Sequence, residues 1–407
     1  AGPAMTLQNH PLKERLGSIE WLLLLATLCL VVIGVAFISS ARTSAEMAED
    51  YSLFRQFYFK QLIFAGMGLS AAVLINLLDY HSLARWSLVF YWACIGILLL
   101  VPLIGVSAGG ATRWINLGLF NFQPSELAKL AFIFMLASFL ARPDQELRTV
   151  GNFWKAIGMM VLPFIIILKE PDLGSALIFI PVGLVMMFVG NIPLRYLAKL
   201  VGGAALLIAL VLVDVLFAPK ALQFIQLENY QKQRLMVYFG LDFAPENATE
   251  AERRAARQLQ EEKSYQVRQA LITVGSGGLR GKGWRQGSQT LYGYLPPGAA
   301  HNDFIFSVIA EQKGFIGSAT VIVLYGVILF TGIRIASQAR DRLGKLLAVG
   351  VVTLVFSHVF INIGMNIRLM PVTGVPLPLL SYGGTSVIVS LLAIGVLHNV
   401  HLYRRAY

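Results

Sequence analysis

Residues 275–311 read GSGGLRGKGWRQGSQ (275–289), TLYGYLPPGAA (290–300) and HNDFIFSVIAE (301–311). A glycine-laced, basic stretch delivers one carboxylate, Asp303, to the start of an apolar segment that is long enough to continue as a membrane helix. An ionisable group at that depth costs several kcal/mol unless it is paired or wetted, so Asp303 reads as functional. The competing reading is a helix cap, in which Asn302 or Asp303 satisfies the free N–H groups of the first turn. The rest of the sequence bears on that choice.

The same apolar character recurs along the chain. Of 407 residues, 56% are apolar and 14% charged, and mean hydropathy is +0.66, a composition foreign to soluble domains. Ten stretches are predicted to span a membrane: 19–39, 57–78, 86–106, 124–141, 153–169, 173–190, 194–217, 303–333, 346–366 and 380–402. The expected fold is an all-α polytopic membrane protein of about ten transmembrane helices. Residues 1–5 (AGPAM) read as a cloning remnant before Met5. Residues 6–407 are expected to form one transmembrane domain, with 218–302 as a large extracytoplasmic loop between helices seven and eight.

Charge sets the orientation. Segments 13–15, 85, 142–155, 195–199, 334–345 and 404–405 hold fourteen lysines and arginines, against six (Arg42, Arg55, Lys60, Arg113, Lys169 and Arg368) in the short loops opposite. Both termini are therefore expected in the cytoplasm. The long loop carries eleven more, and long loops escape this rule. Within it, 247–263 (NATEAERRAARQLQEEK) reads as a short, solvated polar helix, with Asn247 and Glu250 at capping-box spacing. Cys29 and Cys94 lie in apolar segments without metal or redox spacing.

On this topology four polar stretches meet the outer face. In 109–129 (GGATRWINLGLFNFQPSELAK), Pro124 suits a first helical position, and Glu126 and Lys129 share a helix face. Their bland reading is a dipole partner and a snorkelling lysine. Their functional reading is a coupled pair near a phosphate, with Arg113, Gln123 and Ser125 beside it. Trp114 is either an interfacial belt residue or a platform for a sugar ring. In 169–175 (KEPDLGS), Asp172 caps a helix or does chemistry. In 371–386 (PVTGVPLPLLSYGGTS), proline and glycine predict irregular backbone, with Ser381 lining a cavity. The fourth stretch is 275–303, where Arg280 and Lys282 add charge to a phosphate-cradling glycine loop, and His301 is a structural residue, a ligand or an orienting partner of Asp303.

There is no Walker loop, no dinucleotide-binding fingerprint and no His/Cys metal set. One carboxylate, many outward cations and an opening in lipid point to an anionic amphiphile that carries its own leaving group. A lipid-linked diphosphate sugar does. Asp303 then serves as general base while cations stabilise the departing diphosphate. The alternatives are a flippase or ion-coupled transporter, and a non-catalytic membrane scaffold; the paired broken helices of a transporter are not evident.

QPSELAK (123–129), EPDLGS (170–175), YQKQRLMVYF (230–239), GSGGLRGKGWRQGSQ (275–289), HNDFIFSVIAE (301–311) and VPLPLLSYGG (375–384) together are similar to the SEDS family. GKGWRQGSQ and PVTGVPLP resemble its elongation branch, RodA, more than its division branch, FtsW. The resemblance implies a ten-helix peptidoglycan glycosyltransferase of the bacterial inner membrane that polymerises lipid II into a nascent glycan strand. It also implies a class B penicillin-binding protein and other elongation-complex membrane proteins as partners, and no nucleic acid. It maps the family's essential aspartate onto Asp303 and its membrane glutamate and lysine onto Glu126 and Lys129. A divalent cation, Mg²⁺ or Mn²⁺, with Asp303 as its ligand, is an open expectation. The chain departs from the family in LPPGAAHND, which lacks the usual glutamate, in Asn302, in EQKG (311–314) and in 246–263, which look inserted.

Overall fold

The computed structural model describes residues 19–41, 56–108, 111–118, 120–217, 236–241, 243, 249–295 and 297–404. The expected cap at Asn247, residues 1–5, Lys13, Arg15, Arg42, Arg55, Arg405 and all of 218–235 lie outside these residues. The long helices are α1 (Trp21–Ser40), α2 (Phe57–Ile75), α3 (Ser87–Ile104), α4 (Pro124–Leu140), α5 (Val150–Lys169), α6 (Leu173–Val189), α7 (Leu194–Phe217), α8 (Glu250–Ser276), α9 (Ile305–Gln338), α10 (Arg342–Asn366) and α11 (Gly384–Tyr403). Eight of them are long and apolar enough to cross a membrane. The other two predicted spans fall on α4 and α6, each of 17 residues.

The packing follows from all-round hydrophobicity with small residues where helices cross. A Cβ on Gly395 of α11 would lie 3.0 Å from Ala72 Cα of α2, so the absence of a side chain lets those two helices touch. α10 and α11 are the most enclosed spans, with 67% and 72% of their apolar windows buried. α7 is the opposite, with 6% buried, so its surface is left to lipid.

α9 is two helices in sequence. Gly314 breaks it at φ 65°, ψ −157°, a conformation that only glycine adopts without strain. The close approach explains the break: a Cβ on Gly314 would sit 2.4 Å from the Gly281 nitrogen. Before the break, 305–312 is buried on every face, so FIFSVIAE is protein core rather than lipid-facing surface.

Two features differ from the expected architecture. The polar helix in the long loop is α8, 27 residues from Glu250 to Ser276, and it runs into the glycine stretch. A small antiparallel sheet, β1 (Val106–Ala108), β2 (Ala111–Asn116) and β3 (Asn121–Phe122), joins α3 to α4. Its β2–β3 turn is closed by Gly118 N–H donating to Asn116 Oδ1 (2.7 Å), with Gly118 at φ 84°.

Candidate active site

The N-cap position of α9 is Phe304, whose side chain makes no cap hydrogen bond. The structure instead holds the main chain around Asp303 from outside. Asn362 and Asn366 of α10 each donate a side-chain N–H to the Asp303 carbonyl, at 3.0 and 3.1 Å. Ser381 Oγ–H donates to the Asn302 carbonyl (2.6 Å), and Tyr382 N–H donates to the His301 carbonyl (2.9 Å). Three successive carbonyls are pinned, which fixes the main chain from which the half-buried Asp303 carboxylate projects. It points along Gly374, where a Cβ would lie 3.6 Å from Asp303 Oδ2 and φ is 73°. His301 is buried, its ring stacked on Phe57 at 4.4 Å, so packing orients it.

The Glu126–Lys129 pair forms as the spacing predicted, and it is deeper than a surface pair. Pro124 is the first residue of α4. Lys129 Nζ donates to Glu126 Oε1 at 2.7 Å, with side chains only 2% and 3% exposed. Lys129 has a second partner, His358 Nε2 at 3.0 Å. An ammonium has only donors, so Nε2 accepts and the imidazole proton sits on Nδ1, facing the Pro376 carbonyl at 3.3 Å. The pair is thereby tied to the 371–383 segment that also holds Ser381. Snorkelling is excluded, because Lys129 points into protein.

Arg113, on β2, donates to the Glu170 carbonyl (3.2 Å) and the Pro171 carbonyl, and lies 4.0 Å from Asp172. Asp172 caps α6, accepting from Ser175 N–H at 3.1 Å, and its other oxygen accepts from Gln123 Nε2 at 3.0 Å. Gln123 N–H donates to Thr385 Oγ1 (2.9 Å), linking this cluster to the start of α11. Ser125 Oγ is buried without a partner, as is Glu170 Oε1. Burial, then the neighbouring Asp172, push the Glu170 carboxyl up to about 8, with Arg113 pulling it partly back. Trp114 is half-buried on β2, opposite Val106.

The glycine-rich loop does not form the phosphate cradle the sequence suggested. Its N–H groups bond to protein: Lys282 N–H to the Glu311 carbonyl (2.9 Å) and Gly283 N–H to the Gln312 carbonyl (3.1 Å). Lys282 Nζ is 2.7 Å from Glu311 Oε1, and Glu311 is wholly buried. A buried carboxylate needs such a partner, so the cation in GKG neutralises α9 from behind rather than facing a ligand. Arg280 is exposed at the rim.

Stretches 113–129, 169–175, 301–303 and 371–386 thus form one bonded set, and 275–289 buttresses it. The residues that join them are His358, Asn362 and Asn366 on α10, together with Gln61, whose Nε2 donates to the Ser381 carbonyl at 3.0 Å. The sequence carried a signal for the first three. Polar residues at i, i+4 and i+8 inside an apolar span line one helix face and need partners there.

Comparison with known proteins places this arrangement. A family model described as "Cell cycle protein" and named for FtsW, RodA and SpoVE matches residues 20–406. Stage V sporulation protein E of Bacillus subtilis (strain 168) is 36% identical over 95% of this chain and 98% of its own length. Peptidoglycan glycosyltransferase MrdB of Escherichia coli (strain K12) is 34% identical over 83% of this chain and 84% of its own. A solved structure titled "Structural coordination of polymerization and crosslinking by a peptidoglycan synthase complex" matches with a TM-score of 0.74 at 26% identity, covering 95% of this chain and 98% of that one. Rod shape determining protein RodA of Thermus thermophilus matches with a TM-score of 0.63 at 27% identity, covering 95% and 97%. This chain belongs to the FtsW/RodA/SpoVE family, the SEDS peptidoglycan glycosyltransferases.

Proposed function

We propose that the chain polymerises lipid II into glycan strands at the outer face of the cytoplasmic membrane, with Asp303 as general base. Its carboxylate takes the proton of the acceptor hydroxyl. The freed oxygen bonds the donor's anomeric carbon, and the bond to the diphosphate breaks with its electron pair leaving on the diphosphate. The observation that carries this reading is the pinning of three successive carbonyls, His301 to Asp303, by α10 and the 371–383 segment. A carboxylate carried on main chain that is held at three successive carbonyls is positioned before substrate arrives, and preorganisation is what a general base needs.

Arg113 is the partly exposed cation of the set and meets the leaving diphosphate. Glu126 and Lys129 act behind it, holding the 371–383 segment through His358. Among the described residues no three His, Cys, Asp or Glu side chains are grouped to hold a metal ion. A Mg²⁺ or Mn²⁺ ion would fit with Asp303 as one ligand and substrate phosphate and water as the others, the usual arrangement for Mg²⁺. It would supply charge neutralisation at the diphosphate.

The elongation branch, a class B penicillin-binding protein as partner and cytoplasmic termini complete the reading. They are supported by GKGWRQGSQ, by the synthase-complex match and by the charge asymmetry. The test is the purified chain, alone and with its transpeptidase, supplied with lipid II and Mg²⁺ or Mn²⁺, with products resolved by length. A ladder of glycan strands is expected. Lipid II that crosses vesicles without polymerising would overturn the proposal in favour of a flippase.

A further inference from the structure

A cleft of about 250 Å³ lies between α8, the short helical stretch 236–240 and the end of α10. Gln260, Ser264, Val267 and Arg268 line it from α8 at i, i+4, i+7 and i+8, one helix face. Val237 and Arg368 close it from the other sides. Among the described residues no acidic side chain lines it. Neither arginine has a carboxylate partner among the described residues. Two unpaired guanidinium groups converging on one concavity repel each other and form an oxyanion site, since a guanidinium matches a carboxylate or phosphate in two-point fashion.

Arg368 is held at φ 61°, where glycine or asparagine would sit without strain. The side chain kept there at that cost faces the cleft. The last turn of α10 also connects this cleft to the reaction centre, because Asn366, two residues before Arg368, holds the Asp303 carbonyl at 3.1 Å. The walls choose between oxyanions. Val237 and Val267 leave an apolar flank beside the arginines, which suits a small alkyl side chain next to a carboxylate and gives a phosphate nothing. The volume is below that of a drug-sized pocket, so it accepts a terminus rather than a whole sugar-peptide.

We propose that this cleft binds the C-terminal carboxylate of the peptide carried by the lipid-linked substrate, so that Arg268 and Arg368 read the peptide while Asp303 acts on the sugar. This rests on the function proposed above. Both arginines are exposed, and asparagine tolerates the φ of position 368, so Arg268→Gln/Arg368→Asn should fold and melt as the parent does. Polymerisation is measured on lipid II with a free peptide C-terminus, on the same molecule amidated there, and on a lipid-linked disaccharide without peptide.

The double variant is expected to raise KM about fivefold on the free acid, as two partly solvated ion pairs allow, with kcat unchanged. On the amidated and peptide-free substrates it should match the parent. Arg268→Gln/Arg368→Lys should recover part of the loss. An unchanged KM on the free acid would overturn the proposal. So would an equal rise on all three substrates, which would mean that the cleft reads the diphosphate or a lipid headgroup. Binding of a fluorescent soluble peptide acid, against its amide, is read in parallel on the purified chain. That arm needs no polymerisation: if the parent makes no polymer the proposed function fails, whereas equal binding of acid and amide sinks the cleft assignment by itself.

Discussion

Replacing Lys129 by methionine removes the cation from a pair that is 2% and 3% exposed and 2.7 Å apart. The volume is nearly kept, so the main effect is an uncompensated Glu126 carboxylate in the protein interior. Breaking a buried pair in this way costs about 3–5 kcal/mol, roughly 10²- to 10³-fold or more in the folding equilibrium. Glu126→Gln should cost less, about 1–3 kcal/mol, because Lys129 keeps His358 and an amide oxygen as acceptors. Glu126→Gln/Lys129→Met has no buried charge left, so its loss should fall well below the sum of the singles, with a coupling of about 1–3 kcal/mol. The assay is unfolding of the purified variants by SDS in mixed micelles, followed by circular dichroism. Additivity of the two single losses within about 0.5 kcal/mol would refute the reasoning, since the residues would then not sense each other.

Three further outcomes are expected. His358→Phe should lower kcat by about tenfold, since it strands one Lys129 donor and frees the Pro376 carbonyl, at about 1–3 kcal/mol for the unmet group; His358→Gln, which keeps an acceptor for Lys129, should recover most of it in a steady-state assay. Gly314→Ala should destabilise the fold by about 1–3 kcal/mol or more without removing any side chain, because φ 65° with ψ −157° excludes a Cβ and Gly281 occupies the space; an unchanged midpoint in SDS would contradict this. Glu170 ionises near 4.5 when the chain is unfolded but near 8 when folded, so between those values the folded state binds more protons and loses stability as pH rises. Unfolding midpoints should fall from pH 5 to pH 8 in the parent and stay level in Glu170→Gln.

The spans were legible because lipid imposes length and apolarity on each one separately, and α4 begins at Pro124 as its chemistry requires. Glu126–Lys129 was legible for the same local reason, a helix repeat that puts i and i+3 on one face. Asp172 left both readings open, and the structure makes it a cap that also binds Gln123. Contacts between distant segments were not legible. The bonds from Asn362 and Asn366 to the Asp303 carbonyl cross about 60 residues and end on main chain, which has no sequence signature. Lys282 misled for a related reason: its glycine-rich setting suits a phosphate loop, but only tertiary packing reveals that Glu311 lies 2.7 Å away. The β1–β3 sheet was missed because three short strands beside a span leave too little alternation to read.

The central claim is that the Asp303 carboxylate acts as a base, and Asp303→Asn tests it most directly. Asn362 and Asn366 hold position 303 by its carbonyl, and asparagine is isosteric with aspartate and caps a helix as well, so the amide should leave the fold and its melting unchanged. Lipid II turnover by the purified variant should fall at least ~10²-fold, because the amide cannot accept the acceptor's proton. Turnover close to that of the parent, from protein with the same unfolding midpoint, would contradict the account.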